Sequence, residues 1–294
     1  MKNFIKIIIS MGVLLTGLFL AVPVFAEDAR EIMQRVFNME DGDSRISRTR
    51  ISTCRYVKKD KKLKCAEKPR VKVMESVRRD YGPNGKDVRS IMILLDPPGE
   101  RGIGMLQYDY DDPNRDSDQW IYLSALGKVR RIVSGSEDGP KTGSLFGSEI
   151  SYEDVEARHL EDYTYKMLKT VTYKSRPCWV IESKPTPAQA RKSSYSKAVQ
   201  WIDQERYLSL KIVLYDRQGR PLKRITMKGI EQVEGIWIAR QMTVNNLQTK
   251  RISSMKTQSL AINLPVGDDF LTQRALTDGA FRESELKKLR EMMN

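Results

Sequence analysis

The chain has 294 residues, of which 51 are Lys or Arg, 38 are Asp or Glu, one is His and three are Cys, with 40% apolar residues and a mean hydropathy of -0.51. This is too polar for a protein of many membrane spans and too apolar for a disordered chain, so a sizeable core is expected. A lone histidine rules out two-His metal sites, and any Ser-His-Asp relay would hang on His159.

Two lysines precede an apolar stretch from Ile7 to Val22, and Val24-Phe25-Ala26 follows as a site for cleavage. The pattern predicts a secretory signal peptide over residues 1–26, with an uncleaved anchor as the alternative. Export would place the mature chain, residues 27–294, in the periplasm as a single domain. Losing Lys2 and Lys6 lowers the formal net charge from +13 to +11. In that compartment the excess points away from nucleic acid, towards anionic membrane surfaces or simple solubility.

Ala29, Ile32, Met33, Val36 and Phe37 recur at spacings of three and four. They predict an amphipathic helix starting near Asp28 and stopped by Asp41-Gly42-Asp43. The period then changes to two. Cys54 and Cys65 bracket a lysine-rich turn, Lys58 to Lys64, and are the expected disulfide pair. Cys178 is left single and reads as a small buried hydrophobe. Val71, Val73 and Val77, then Leu208 to Leu214, then Ile236, Ile238, Met242 and Val244 alternate as half-buried strands do. Turn signals recur between them, at Gly82-Pro83-Asn84-Gly85, Asp111-Asp112-Pro113-Asn114 and Glu234-Gly235. A mainly β fold follows, as one large antiparallel sheet or barrel.

Two segments are apolar on both faces: Ile91-Met92-Ile93-Leu94-Leu95 and Trp120-Ile121-Tyr122-Leu123. Each face then needs a cover, either core or a cavity wall. Ile91, Ile93, Leu95, Met105 and Trp120 are the candidate wall residues. The many methionines, Met92, Met105, Met167, Met227, Met242 and Met255 among them, suit an adaptable lining or core filler alike. A Gly- and Ser-rich segment over residues 134–150 carries Leu145 and Phe146 between Gly143 and Gly147, and is read as a lid with two apolar contacts. Ser151-Tyr152-Glu153-Asp154 after it has the pattern of a helix start. No GxSxG, P-loop, HExxH or zinc-type spacing occurs. Neither an enzyme nor a metal or cofactor is expected.

Certain blocks, taken in order, are more specific than any one of them. These are Asp96-Pro97-Pro98-Gly99-Glu100-Arg101-Gly102, Gln119-Trp120-Ile121-Tyr122-Leu123-Ser124-Ala125-Leu126 with Val129-Arg130-Arg131-Ile132, Gly143-Ser144-Leu145-Phe146-Gly147-Ser148-Glu149-Ile150-Ser151-Tyr152-Glu153-Asp154, and Asp269 to Leu276. Together they resemble the outer-membrane lipoprotein-sorting protein family. The likeness is strongest to the LolA-like branch associated with transporters of the resistance-nodulation-division type. The resemblance implies an incompletely closed antiparallel β-barrel with an N-terminal amphipathic helix and a lid over a hydrophobic cavity. It also implies a carrier of lipid or lipoprotein acyl chains. Arg130, Arg131, Tyr152, Glu153 and Asp154 carry over as family-motif positions, for ligand contact or for pairing around the lid. The alternative is a non-carrying periplasmic adaptor docked on such a transporter.

Overall fold

In a computed structural model the chain is described over residues 28–60, 62–82, 84–133 and 139–292, and the signal segment expected over 1–26 lies outside them. The expected helix is α1, Ala29–Phe37, whose N-cap Asp28 accepts a hydrogen bond from the Arg30 N–H. Glu31 in its first turn and Arg35 in its last suit the helix dipole.

Fourteen antiparallel strands follow: β1 Ser44–Lys59, β2 Lys62–Cys65, β3 Arg70–Tyr81, β4 Asp87–Asp96, β5 Gly104–Asp109, β6 Asp118–Leu123, β7 Lys128–Arg131, β8 Tyr163–Tyr173, β9 Arg176–Pro185, β10 Tyr195–Asp203, β11 Ser209–Asp216, β12 Pro221–Val233, β13 Ile236–Asn246 and β14 Arg251–Ile262. Their order is β7-β6-β5-β4-β3-β1-β14-β13-β12-β11-β10-β9-β8, with β2 paired to β1 alone. Two meanders are thus joined where the first long strand meets the last, from Arg45 opposite Ile262 to Arg55 opposite Arg251. The sheet is not closed into a barrel. Its two edges, β7 and β8, are consecutive in sequence, so residues 132–162 must run between them.

That connection covers one face of the sheet, which we call the lid face. Helix α1 lies on the same face, where Ala29, Ile32 and Met33 pack against Leu160, Ile181 and Ile202. The opposite face is covered by the C-terminal segment with α3, Gln273–Thr277, and α4, Gly279–Glu291. Phe270, Leu276, Leu286 and Leu289 pack there against Ile46, Val77, Ile91, Ile93 and Leu106. Gly104 permits the close approach: a Cβ at this position would stand 2.5 Å from Ile93 Cδ1 and 2.9 Å from Leu276 Cδ2. Arg290 of α4 clamps the buried Glu75 of β3, with Nε 2.9 Å from Oε1. A short helix, α2 Pro187–Lys192, sits between β9 and β10.

The two-faced reading of β4 holds, and parity assigns the faces. Ile91 and Ile93 point to the C-terminal helices, while Met92 and Leu94 point to the lid. Cys54 and Cys65 are joined in a disulfide with Cα atoms 5.8 Å apart, and Cys178 is free and buried. The helix expected from Ser151 is a single 3-10 turn, Glu153–Val155. One half of the expected capping box is made, the Ser151 N–H donating to Asp154 Oδ2 at 2.8 Å. No helix among the described residues is long and apolar enough to cross a membrane.

Candidate functional site

Because side chains of equal register share a face, the lid face can be read row by row. One row is apolar. Met227 of β12 stands opposite Met242 of β13, which stands opposite Met255 of β14, itself opposite Ile51 of β1. On the following rows of the same face Met74 stands between Thr49 and Leu94, and Met92 between Ser76 and Met105. Ser76 also stands opposite Ser47 and shares a hydrogen bond of 2.8 Å with it. Beyond it, Arg45 and Arg78 face each other across β1 and β3. A cavity of about 450 Å³ lies between this floor and the covering segment, lined among others by Met74, Met92, Met242, Met255, Leu145 and Ile150. That is within the size range of small-ligand sites.

The covering segment seats its own apolar side chains on the methionine floor. Leu145 is 1% exposed, Phe146 7% and Ile150 2%. Residues 144–151 form a tight loop, closed by a bridge between Ser144 and Ser151 and by the Leu145 N–H donating to the Ile150 carbonyl at 2.8 Å. Closing it puts Phe146 at φ 49° and ψ 35°, a left-handed conformation that costs a non-glycine residue about 1–3 kcal/mol. Gly143 stands at φ 114°, where a Cβ would meet the Tyr152 ring at 2.5 Å.

Carboxylates hold this segment in place. Glu149 accepts hydrogen bonds from Arg251 Nε at 2.7 Å and Asn246 Nδ2 at 3.0 Å. Glu153, itself buried, takes the Ser193 hydroxyl and the Ser194 N–H, the latter at 2.9 Å. Asp154 accepts from Lys223 Nζ at 2.5 Å and from the Tyr195 hydroxyl at 2.6 Å. Burial and the Asp154 charge push the Tyr195 phenol far above its ordinary value, so it stays a donor. On the other flank Gln119 donates to the Tyr152 carbonyl at 3.2 Å and Gln107 to the Val155 carbonyl at 2.7 Å. The segment is therefore a strap, fastened to β5, β6, β12 and β14 and to the approach to β10. These are pairings of structure, and the carboxylates are consumed in them.

The placement of the expected site residues divides. Met105, Leu145 and Phe146 belong to the lid-face cluster. Ile91, Ile93 and Trp120 do not reach the cavity, because they pack under the C-terminal helices, with Trp120 edge-on to Tyr108 at 5.1 Å. Leu95 is half-buried at the end of β4, where its carbonyl accepts from Arg101. Tyr152, Glu153 and Asp154 serve the strap. Arg130 and Arg131 lie exposed on the edge strand β7, Arg131 paired with Asp118. Met74, Ile150, Gln107, Gln119, Lys223 and Arg251 were not expected. His159 lines a separate polar cavity of about 450 Å³ together with Glu156, Glu161 and Asp162. No metal-binding cluster of His, Cys, Asp and Glu occurs among the described residues.

A family model described as that of an uncharacterized protein matches residues 86–278, more than half of the chain. No curated protein matches. Among solved structures the chain is similar to a DUF1329 family protein from Desulfovibrio piger, with a TM-score of 0.74 and 23% identity over 84% of this chain and 97% of that one. It is similar also to a Vibrio parahaemolyticus structure described as an outer membrane lipoprotein-sorting protein domain, with a TM-score of 0.73 and 25% identity over 85% and 98%. A LolA superfamily protein from Nitrosomonas europaea shares the fold, with a TM-score of 0.60 and 16% identity over 84% and 98%. With the open sheet, the strapped cavity and these matches in hand, the chain belongs to the family of the model that spans residues 86–278, and its fold is LolA-like, as in the outer-membrane lipoprotein-sorting domain it resembles.

Proposed function

We propose that the protein is a non-catalytic periplasmic carrier that takes acyl chains of a lipid or lipoprotein into the cavity under the strap and moves them towards the outer membrane. The observation that carries this reading is the methionine floor with Leu145, Phe146 and Ile150 of the strap already seated on it. The strap's side chains stand in for acyl chains, so cargo can replace them without baring the floor to water. Each buried CH₂ is worth ~0.8 kcal/mol, enough for a few carbons of an acyl chain to offset the loss of the strap's contacts. Methionine adapts to chains of differing shape at little cost. The strain at Phe146 favours displacement of the strap.

The similarity to the Vibrio lipoprotein-sorting domain supports the cargo class. The family branch that the sequence blocks resemble supports an inner-membrane transporter of the resistance-nodulation-division type as a partner. The test is native mass spectrometry of the delipidated full chain after incubation with bacterial lipid vesicles. Wild type acquires lipid-mass adducts, and Leu145→Asp, which sets a carboxylate on the methionine floor, loses them. A wild type that stays dry under these conditions refutes carriage.

A further inference from the structure

A second cavity, about 360 Å³, adjoins the first. Val36, Phe37 and Met39 wall it from the end of α1, and Met227, Ile230 and Trp237 from β12 and β13. Phe37 keeps 37% of its surface exposed there. The two spaces meet in two places. Met227 of the second stands directly opposite Met242 of the first, so the apolar floor is continuous. Asp41 lines both, and its carboxylate marks their junction.

At that junction Asp41 pairs with Arg78 and, at 3.6 Å, with Arg45. Arg78 also donates to Asp80 at 2.5 Å. Yet each of the two guanidiniums retains a buried Nε–H with no acceptor. Burial and the adjacent Arg78 charge pull Arg45 below its ordinary value, whereas at Arg78 burial is outweighed by the Asp41 and Asp80 carboxylates, which raise it, so Arg45 is the member of the pair that gains from a better anion. Asp41 itself is half-exposed and lies on the irregular segment between α1 and β1, held by these arginines, of which Arg45 also donates to its carbonyl at 3.2 Å. A guanidinium edge offering Nε–H and Nη–H together matches a phosphate in a two-point fork that Asp41 leaves unmade. Ser47 and Ser76 stand one row from the arginines, beside Met92, and Ser90 stands opposite Arg78, so hydroxyls for a polar ester backbone lie where the arginines meet the methionine floor.

We propose that the ligand is a phosphate-bearing lipid with two acyl chains, one chain in each cavity and the phosphate on Arg45 and Arg78 in the place of Asp41. The assignment rests on the carrier reading and names its substrate class. Asp41 is then a place-holder: it neutralises the arginines in the empty protein and yields when the headgroup arrives, so charge is conserved through the exchange.

The test titrates the delipidated full chain, by native mass spectrometry, with dipalmitoyl-phosphatidylglycerol, with dipalmitoylglycerol, which has the same chains and no phosphate, and with single-chain lyso-phosphatidylglycerol. Wild type prefers phosphatidylglycerol to dipalmitoylglycerol by about tenfold, the worth of one hydrogen bond to a charged group. Arg78→Gln abolishes the preference and leaves dipalmitoylglycerol binding intact. Asp41→Asn tightens phosphatidylglycerol binding and not that of dipalmitoylglycerol, a gain that damage to the fold does not mimic. Ala239→Trp, which fills the second cavity, keeps the lyso lipid and weakens the two-chain lipid. Equal binding of the two diacyl ligands, weaker phosphatidylglycerol binding by Asp41→Asn, or its full displacement by inorganic phosphate overturns this assignment alone. A wild type that takes none of the three lipids overturns the carrier reading with it.

Discussion

Gly143→Ala is the sharpest probe of the strap. The new Cβ would stand 2.5 Å from Tyr152 Cε2, closer than real Cβ contacts, and at φ 114° an alanine is strained wherever the ring goes. The clash costs about 1–3 kcal/mol as overpacking and the backbone about 1–3 kcal/mol more. Both act on the closed strap and neither on the sheet beneath. Roughly 2–6 kcal/mol raises the open fraction by about thirty-fold or more. Hydrogen exchange reads this directly, because the Leu145 N–H is held by the Ile150 carbonyl and the Ser148 N–H by the Leu145 carbonyl. Both amides lose protection in Gly143→Ala, while amides of β1 and β14 keep theirs. Adding Tyr152→Ala removes the clash and recovers part of the protection. Unchanged protection at Leu145 and Ser148 in the single variant would sink the argument that the strap's closure depends on this contact.

The remaining predictions concern charge. Lys223→Met leaves Asp154 buried without its cation and lowers stability by about 3–5 kcal/mol, seen as a fall in Tm. The double variant Lys223→Met/Asp154→Leu recovers most of it, and a double variant as unstable as the single one contradicts the pairing. Burial alone would raise the Asp203 carboxyl, but two hydrogen bonds from Arg176, at 2.8 and 2.9 Å, and the N–H groups of Glu205 and Arg206 outweigh it and hold the carboxyl below its ordinary value. A lowered native value means stability that is present above the unfolded value of about 3.9 and lost as pH falls through the native one. Asp203→Asn therefore flattens the fall of Tm below about pH 4, and a variant curve parallel to wild type speaks against it.

The sheet was legible because its signal is local. Period-two runs such as Ile236 to Val244 need only their own residues to announce a face, and Asp28 with Ala29, Ile32 and Met33 announces the helix. Which face of a two-sided strand meets the cavity is not local. Ile91 and Met92 are equally apolar, and only the arrival of Leu276 and Leu286 from the far end of the chain assigns Ile91 to the core. The acidic cluster at Glu149, Glu153 and Asp154 stood out in the sequence, but its meaning lay with Arg251, Ser193 and Lys223, some 40 to 102 positions away. The methionines carried a fair hint: Met92, Met105, Met227, Met242 and Met255 could be named beforehand. That they share one face, with Met227, Met242 and Met255 in a single row, required the register.

The strap also changes what kind of object the open sheet is. Hydrogen bonds leave β7 and β8 apart, yet the chain itself joins them, so the molecule is a ring closed partly by ladder and partly by covalent bond. Among the described residues the strap is pinned by side chains of β5, β6, β12 and β14, so displacing it unloads hydrogen bonds on strands of both meanders at once. On the proposed carrier reading, a filled protein would differ from an empty one at these strands, where another protein could feel the difference without touching the cargo. A single cut in the strap would sever that link, while the long pairing of β1 with β14 kept the two halves together.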